Sequence, residues 1–466
     1  MKKILMSVSV ALVLLAGCTK NEPVFRHDST TVGISNITEL KQQCRSILDE
    51  NIIPFWYPST IDTVNGGYNL NHDINGVFKG FGSNAGSSSN RYIVVQSRMV
   101  WFFSRLVRAG YSKEKYLPAA KHGYDYLRNV MQDKKNGGFY WGVSPSGKPI
   151  QPNKHMYGQG FAVYALSEYA LASKDPEAKA FVLKVFRQLD EKAHDKVNGG
   201  YVEYFTPDWQ PITGTNVKNY LGVPNGYKLM NTHLHLMEPF TLLYTLSGDA
   251  LVRERLQELV MIQSSSVMRK TLGACTDKYL ANWKPVDQSN YNRVSYGHDL
   301  ENVWLVAETC DALGVPNSVL LDAYRYMFDY SLRYGFDTTN GGFFDSGAFN
   351  RPADKIQKTW WVQAECMYSA LSMYSLTKEK TYLDTFYKTL GWITNYQIDR
   401  KHGEWFSDVW PVGTKGKSGV TNNGFVAVGG KANAWKAAYH NGRAIIQTIS
   451  LLEKLERESN DTKSGK

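Results

Sequence analysis

Apolar residues return along most of the chain with helical rather than strand spacing. Phe161-Ala162-Val163-Tyr164-Ala165-Leu166 runs on to Leu171, and Trp304-Leu305-Val306 runs on to Leu313. Runs of this length and period predict helices. Gly314-Val315-Pro316 after the second run predicts its end, since proline cannot continue a helix. Between such segments one short motif keeps returning. Asn65-Gly66-Gly67-Tyr68, Asn136-Gly137-Gly138-Phe139, Asn198-Gly199-Gly200-Tyr201 and Asn340-Gly341-Gly342-Phe343 share the pattern N-G-G-aromatic, and His402-Gly403-Glu404-Trp405 is a degenerate copy. Copies start 62 or 71 residues apart, except for one gap of 142, about two periods, which predicts a hidden copy near Leu272-Gly273. Paired glycines supply the positive φ of a tight reversal. Each of six units thus reads as two helices and a glycine-rich turn, and a period of this size dictates the fold. The expected architecture is all-α: one (α/α)6 barrel of six helical hairpins, favoured over an open solenoid. Inner helices would form the core and their ends a single cleft. That reading overrides the two or three domains that 466 residues would otherwise suggest.

The N-terminus follows a different pattern. Lys2 and Lys3, an apolar run from Ile4 to Leu15 and then small residues form a bacterial export signal. The run is shorter than the roughly 20 residues of a membrane span. Leu15-Ala16-Gly17-Cys18 resembles a lipobox, which makes Cys18 the expected lipidation site. The expected organisation is a lipoprotein signal peptide over 1–17, a lipid-anchored polar tether over 18–34, the barrel over 35–457 and a polar tail over 458–466. The mature protein would lie outside the cytoplasm, anchored to a bacterial membrane surface (periplasmic or outer-membrane face) without spanning it.

Composition narrows the chemistry. The chain is 43% hydrophobic, 21% charged and 13% aromatic, with 12 Trp, 29 Tyr and 20 Phe. Rings in that number suggest a lined cleft, for which a sugar is a natural ligand. The net charge of +10 comes with no Lys/Arg block, so no nucleic-acid partner is expected. The five cysteines form no C-x-x-C pair, so neither a zinc ribbon nor a thioredoxin-like site is indicated.

Histidine is scarce, ten in all, and several sit at the starts of apolar helical runs: His233 and His235, His298, and His440. His298 and Glu301 are three apart, which places them on one helical face, where a carboxylate would orient an imidazole acting as a base. Asn231 and His235 are four apart on another. Arg98 interrupts an apolar helix, so it reads either as half of a buried ion pair or as a cation that holds a substrate oxygen.

Six collinear motifs then carry a resemblance. They are Gln96-Ser97-Arg98 with Trp101; Met156-Tyr157-Gly158-Gln159-Gly160-Phe161; Asn231-Thr232-His233-Leu234-His235; Ser295-Tyr296-Gly297-His298-Asp299 with Glu301; Trp360-Trp361-Val362-Gln363-Ala364-Glu365; and Trp435 with Tyr439-His440-Asn441-Gly442-Arg443. From Ile37 to Leu455 the chain resembles the N-acylglucosamine 2-epimerase superfamily, most of all its cellobiose and mannobiose 2-epimerases. The resemblance implies an (α/α)6 barrel and C2 epimerisation of a reducing-end aldose through an enediolate, with no metal and no cofactor. It implies acid/base roles for His298 and His440, with Glu301 supporting His298. Arg98 would hold the reducing-end oxygen, and Asn231 with His235 would contact C1–C2 or open the ring. Tyr157, Trp361 and Trp435 would stack on or bind the sugar. The implied substrate is a β-1,4-linked disaccharide. Rival readings are an aldose–ketose isomerase, an N-acylglucosamine 2-epimerase acting on a monosaccharide, a glycoside hydrolase and a non-catalytic glycan-binding lipoprotein. The chain departs from the family at Ser97, at Ala437-Ala438 and in a longer stretch from Phe205 to Tyr227.

Overall fold

In the computed structural model, which describes residues 25–80 and 89–463, the period resolves into twelve helices of ten residues or more. The expected signal peptide, Cys18 and the last three residues of the expected tail lie outside the described residues. After α1 (Ile37–Ser46) the helices come in pairs: α2 (Ile93–Arg108) with α3 (Lys113–Tyr126), α4 (Met156–Ser173) with α5 (Pro176–Ala193), and α6 (Met230–Ser247) with α7 (Ala250–Met261). Next come α8 (Tyr296–Leu313) with α9 (Leu321–Gly335) and α10 (Trp360–Thr377) with α11 (Lys380–Trp392). The last helix, α12 (His440–Lys463), packs on α1 and completes the sixth hairpin. Even-numbered helices are inner: α4, α6, α8 and α10 are buried on nearly every face, as helices apolar all round must be. The outer helices, such as α5, bury one stripe. The ring closes where Gly442 of α12 meets α2. A Cβ there would lie 2.7 Å from the Phe102 ring, so only glycine admits that approach. The result is an (α/α)6 barrel, and α8 ends at Leu313 with Gly314 as a left-handed cap, as the sequence predicts.

The glycine loops are built alike. In the first unit Asp62 Oδ1 accepts from the Val64 and Asn65 amides, and Arg91 reaches Asp62 at 2.5 Å. Asp133, Asp195, Asp337 and Asp399 repeat the turn, each paired with a buried lysine: Lys154, Lys228, Lys358 and Lys431 at 2.7–2.8 Å. The repeat is therefore D-x-x-N-G-G-aromatic with a distant cation, longer than the tetrapeptide alone. The hidden copy lies at Met268–Cys275. These residues pair across the same seven-residue span as Gln132 with Phe139, and Gly273 has φ 79°. Both glycines of the full copies have positive φ, and a Cβ on Gly200 (φ 70°) would also lie 2.8 Å from His233 Nε2. Gly200→Ala is expected to cost at least about 1–2 kcal/mol from the backbone alone, read as a lower denaturation midpoint. An unchanged midpoint would contradict it.

Two features depart from the expected plan. First, a fringe of two- to four-residue strands leads into the inner helices: Lys154–His155 pairs with Tyr204–Phe205, and Lys358–Thr359 with Asp408–Pro411. Segments this short carry no readable period. Second, the domain edges move outward. α12 runs on to Lys463, past the expected boundary at 457. Residues 25–34 of the expected tether lie on the barrel: His27 bridges Asp329 and Glu379 at 3.0 and 2.7 Å, and the Val32 amide donates to Lys378 O at 3.0 Å. No described helix is long and apolar enough to cross a membrane.

Candidate active site

Each inner helix opens with a residue that fastens a glycine loop. Gln96, Gln159 and Gln363 each accept from and donate to the backbone of the loop aromatic (Tyr68, Phe139 and Phe343) at 2.7–2.9 Å. His233 does the same work in its unit: Nε2 accepts from the Tyr201 amide at 2.9 Å, and Nδ1 lies 2.7 Å from Leu229 O. It is a loop anchor, not a cavity residue. Asp299 accepts from the Cys275 amide at 3.1 Å in the hidden copy.

Two residues past each anchor, the side chains meet across the barrel. Arg98 lies over the Phe161 ring at 4.5 Å, and Phe161 is 5.2 Å from the His235 ring. His235 Nε2 is 3.8 Å from Glu301 Oε2, and Arg443 Nη2 donates to Glu301 Oε1 at 2.8 Å and to Glu365 Oε1 at 2.7 Å. Arg443 also donates to Glu238 and to the Tyr439 hydroxyl. A fully buried guanidinium thus serves three buried carboxylates, which burial alone would drive towards the neutral form.

This belt supports a cavity of about 310 Å³. Eight of the nine expected site residues line it: Arg98, Tyr157, Asn231, His235, His298, Trp361, Trp435 and His440. Glu301 does not, and its expected pairing with His298 is corrected: both of its described ion-pair contacts within 3.8 Å are to Arg443 and His235. The helical offset of three places Glu301 on the right face, but its neighbours across the axis are closer. Asp277, which lines the same cavity, acts on His298 instead. The carboxylate that orients a cavity histidine is Glu365, 2.6 Å from His440 Nδ1. Its Oε1 also accepts from Arg443 and its Oε2 from Trp304 Nε1 at 3.0 Å. Burial raises the Glu365 carboxyl, and the Arg443 and Trp304 donors oppose that shift; with Glu365 ionised, Nδ1 carries the proton and Nε2 keeps its lone pair.

Burial makes the imidazoles neutral at pH 7. It pushes His298 down to about 4, against the pull of Asp277, and His235 down to about 4, against Glu238. His440 falls well below 6.5 through burial, with Arg98 and Arg443 adding to the effect. Burial holds Glu301 well above the usual carboxylate range, with Glu365 adding and Arg443 opposing. The Trp361 ring lies beside both cavity bases, 4.6 Å from His298 and 5.7 Å from His440. Arg98 has no carboxylate within 4.0 Å among the described residues. It lies between Phe161 and Tyr439, donates to Trp435 O, and is 3.4 Å from the Tyr157 hydroxyl. The ion-pair reading of Arg98 is therefore set aside. The Asn231 side-chain oxygen is buried and has no hydrogen-bond partner among the described residues.

Among the described residues, Glu301, Glu365 and His440 form the grouping with metal-ligand composition, their atoms within 4.8 Å of one another. Arg443 already stands on both carboxylates at 2.8 and 2.7 Å, so the charge a cation would meet is compensated. Sequence reading left Glu238, Glu365, Arg443 and Asp277 without roles. Aligning the six helices on their loop anchors would have found the first three: Glu365 and Arg443 fall two past Gln363 and Asn441, and Glu238 is one turn beyond His235. Leu221 and Val223, from the long stretch after Phe205, also line the cavity. Tyr220 beside them stacks on Trp141 at 5.1 Å, and the sequence signal that marks them is the extra length of the Phe205–Tyr227 stretch.

The geometry agrees with what the chain is similar to. The family model for N-acylglucosamine 2-epimerase (GlcNAc 2-epimerase) matches residues 78–419. A cellobiose 2-epimerase of Dictyoglomus turgidum is 29% identical over 414 residues, covering 88% of this chain and 98% of that protein. One of Ruminococcus albus is 30% identical over 429 residues, covering 89% and 98%. The solved structure of cellobiose 2-epimerase from Spirochaeta thermophila superposes with a TM-score of 0.77 at 29% identity, covering 90% of this chain and 98% of that one. With its barrel, its buried belt and its histidine-lined cavity, the chain belongs to the N-acylglucosamine 2-epimerase family and is an enzyme of the isomerase class.

Proposed function

We propose that the protein inverts C2 of the reducing-end aldose of a β-1,4-linked disaccharide such as cellobiose or mannobiose. One observation carries the reading: two imidazoles from different units and a guanidinium with no carboxylate within 4.0 Å among the described residues converge on one aromatic-walled cavity. Once the ring opens, the C2 proton is α to an aldehyde and acidic enough for imidazole to remove. His440 Nε2, with Nδ1 tied to Glu365, acts as one base, and His298 beside Trp361 as the other. One neutral imidazole takes the C2 proton and becomes imidazolium; the other, having first picked up a proton from solvent, delivers it to the opposite face and is left neutral, and exchange with solvent restores both. Arg98 stabilises the enediolate oxygen, its charge uncancelled by any carboxylate within ion-pair distance among the described residues. Asn231 and His235 hold the opened C1–C2 end, and Tyr157, Trp361 and Trp435 hold the rings. Return of the proton to C1 would instead give a ketose.

The test is product analysis with cellobiose, mannobiose, glucose, mannose and N-acetylmannosamine. A C2 epimer of a disaccharide supports the reading, whereas a ketose, a shorter sugar or no product overturns it. The pH profile follows from the bases. The base, held down to about 4, is unprotonated at neutrality, so loss of activity through its protonation is expected only below about pH 5.5. A fall already complete at pH 6 would contradict it. We also propose that Cys18 is lipidated and holds the enzyme outside the cytoplasm, on the strength of the Leu15–Cys18 sequence. Labelled palmitate should enter the wild type and not Cys18→Ser, and equal labelling would refute the anchor.

A further inference from the structure

The sixth unit fastens its loop differently from the rest. His402-Gly403-Glu404-Trp405 puts a glutamate where the full copies have their second glycine, and Glu404 keeps the glycine backbone, φ 61° against 66° at Gly67. L-residues rarely hold that conformation, and where they do the side chain generally has a task. Glu404 is fully buried. Its Oε1 accepts from Lys436 Nζ at 2.6 Å and from Asn441 Nδ2 at 2.7 Å, and its Oε2 accepts from Trp56 Nε1 at 2.6 Å. Asn441 is the counterpart of the loop anchors Gln96 and Gln363, yet it grips a side chain where they grip backbone.

The residues gathered by Glu404 bracket one segment. Lys436, also fully buried, donates to Lys431 O at 2.9 Å, and Asn433 Oδ1 accepts from the Trp435 and Lys436 amides at 2.8 and 2.9 Å. From 431 to 439 the chain has no helix and no strand beyond an isolated bridge, yet it carries Trp435 into the cavity and ends at His440. A wall without secondary structure needs side chains to hold it. We propose that Glu404 is a positioning residue. Through Lys436 and Asn441 it sets where the Trp435 indole and the His440 imidazole stand. The degenerate copy is then a glycine position recruited for the active site. The kinetic part of this inference rests on His440 acting as an acid/base group.

The test uses Glu404→Gly, which supplies the residue this turn has in the other full copies, and Glu404→Gly/Lys436→Met, which also removes the orphaned buried cation. Melting temperature, kcat and KM are measured on folded protein well below melting. Glu404→Gly is expected to melt earlier and to lose at least tenfold in kcat. The double variant should regain melting temperature but not kcat, because Asn441 is still unheld. Wild-type kcat in the double variant would overturn the proposal, leaving Glu404 as a counter-ion for Lys436. If the wild type itself converts no sugar, the functional reading fails separately. A crystal structure of the double variant then decides: displaced Trp435 and His440 support positioning, and unchanged placement overturns it.

Discussion

Replacing His440 with alanine is expected to lower epimerisation by about 10²–10⁴-fold, the usual worth of a general acid or base, and His298→Ala should do the same. His440 is tied to Glu365 on one side and faces the cavity on the other, so the substitution removes the base without touching the hydrophobic core. The loss should fall on kcat, with sugar still bound by the rings and by Arg98. Because inversion needs one group to take the proton and another to return it, either single variant should also stop incorporation of solvent hydrogen into the epimer. A double variant with full activity would end the two-histidine account.

Arg443→Met should have the largest effect on stability. The guanidinium meets Glu238, Glu301 and Glu365 inside the barrel, with none of the four side chains more than 4% exposed. Removing one member of a buried charge cluster leaves the others uncompensated and costs about 3–5 kcal/mol. Denaturant titration should therefore show a much earlier midpoint, or no soluble protein at neutral pH. Arg443→Met/Glu238→Gln, which cancels one charge, should recover part of the loss. Additive losses in the two variants would show that the cluster is not coupled.

The barrel was legible because its signal is repetitive. Six copies of one turn, one of them reduced to Leu272-Gly273, outweigh any ambiguity in a single helix, and the hidden copy folds as the others do. Cavity residues were legible where chemistry made them conspicuous: an arginine in an apolar helix, histidines at helix starts, paired tryptophans. What the sequence hid was partnership. His298 with Glu301 looked right because both lie on one helical face. The carboxylate that orients a cavity imidazole comes instead from another helix, 75 residues before His440. Pairings across the axis depend on how six helices converge, and spacing along one helix does not encode that. The strand fringe was hidden for a similar reason, being short segments defined only by their tertiary contacts, whereas the extra length from Phe205 to Tyr227 did flag the stretch that brings Leu221 and Val223 to the cavity. Glu404 shows the converse: a lapse in a repeat marks a position whose side chain has another task.

The most direct measurement follows the hydrogen at C2. With cellobiose in D₂O, NMR of the equilibrated sugars should show an epimer at the reducing end with deuterium at C2 and none at C1, and His440→Ala should show no epimer. An epimer that keeps its original C2 hydrogen, or deuterium appearing at C1 of a ketose, would contradict the two-base enediolate account.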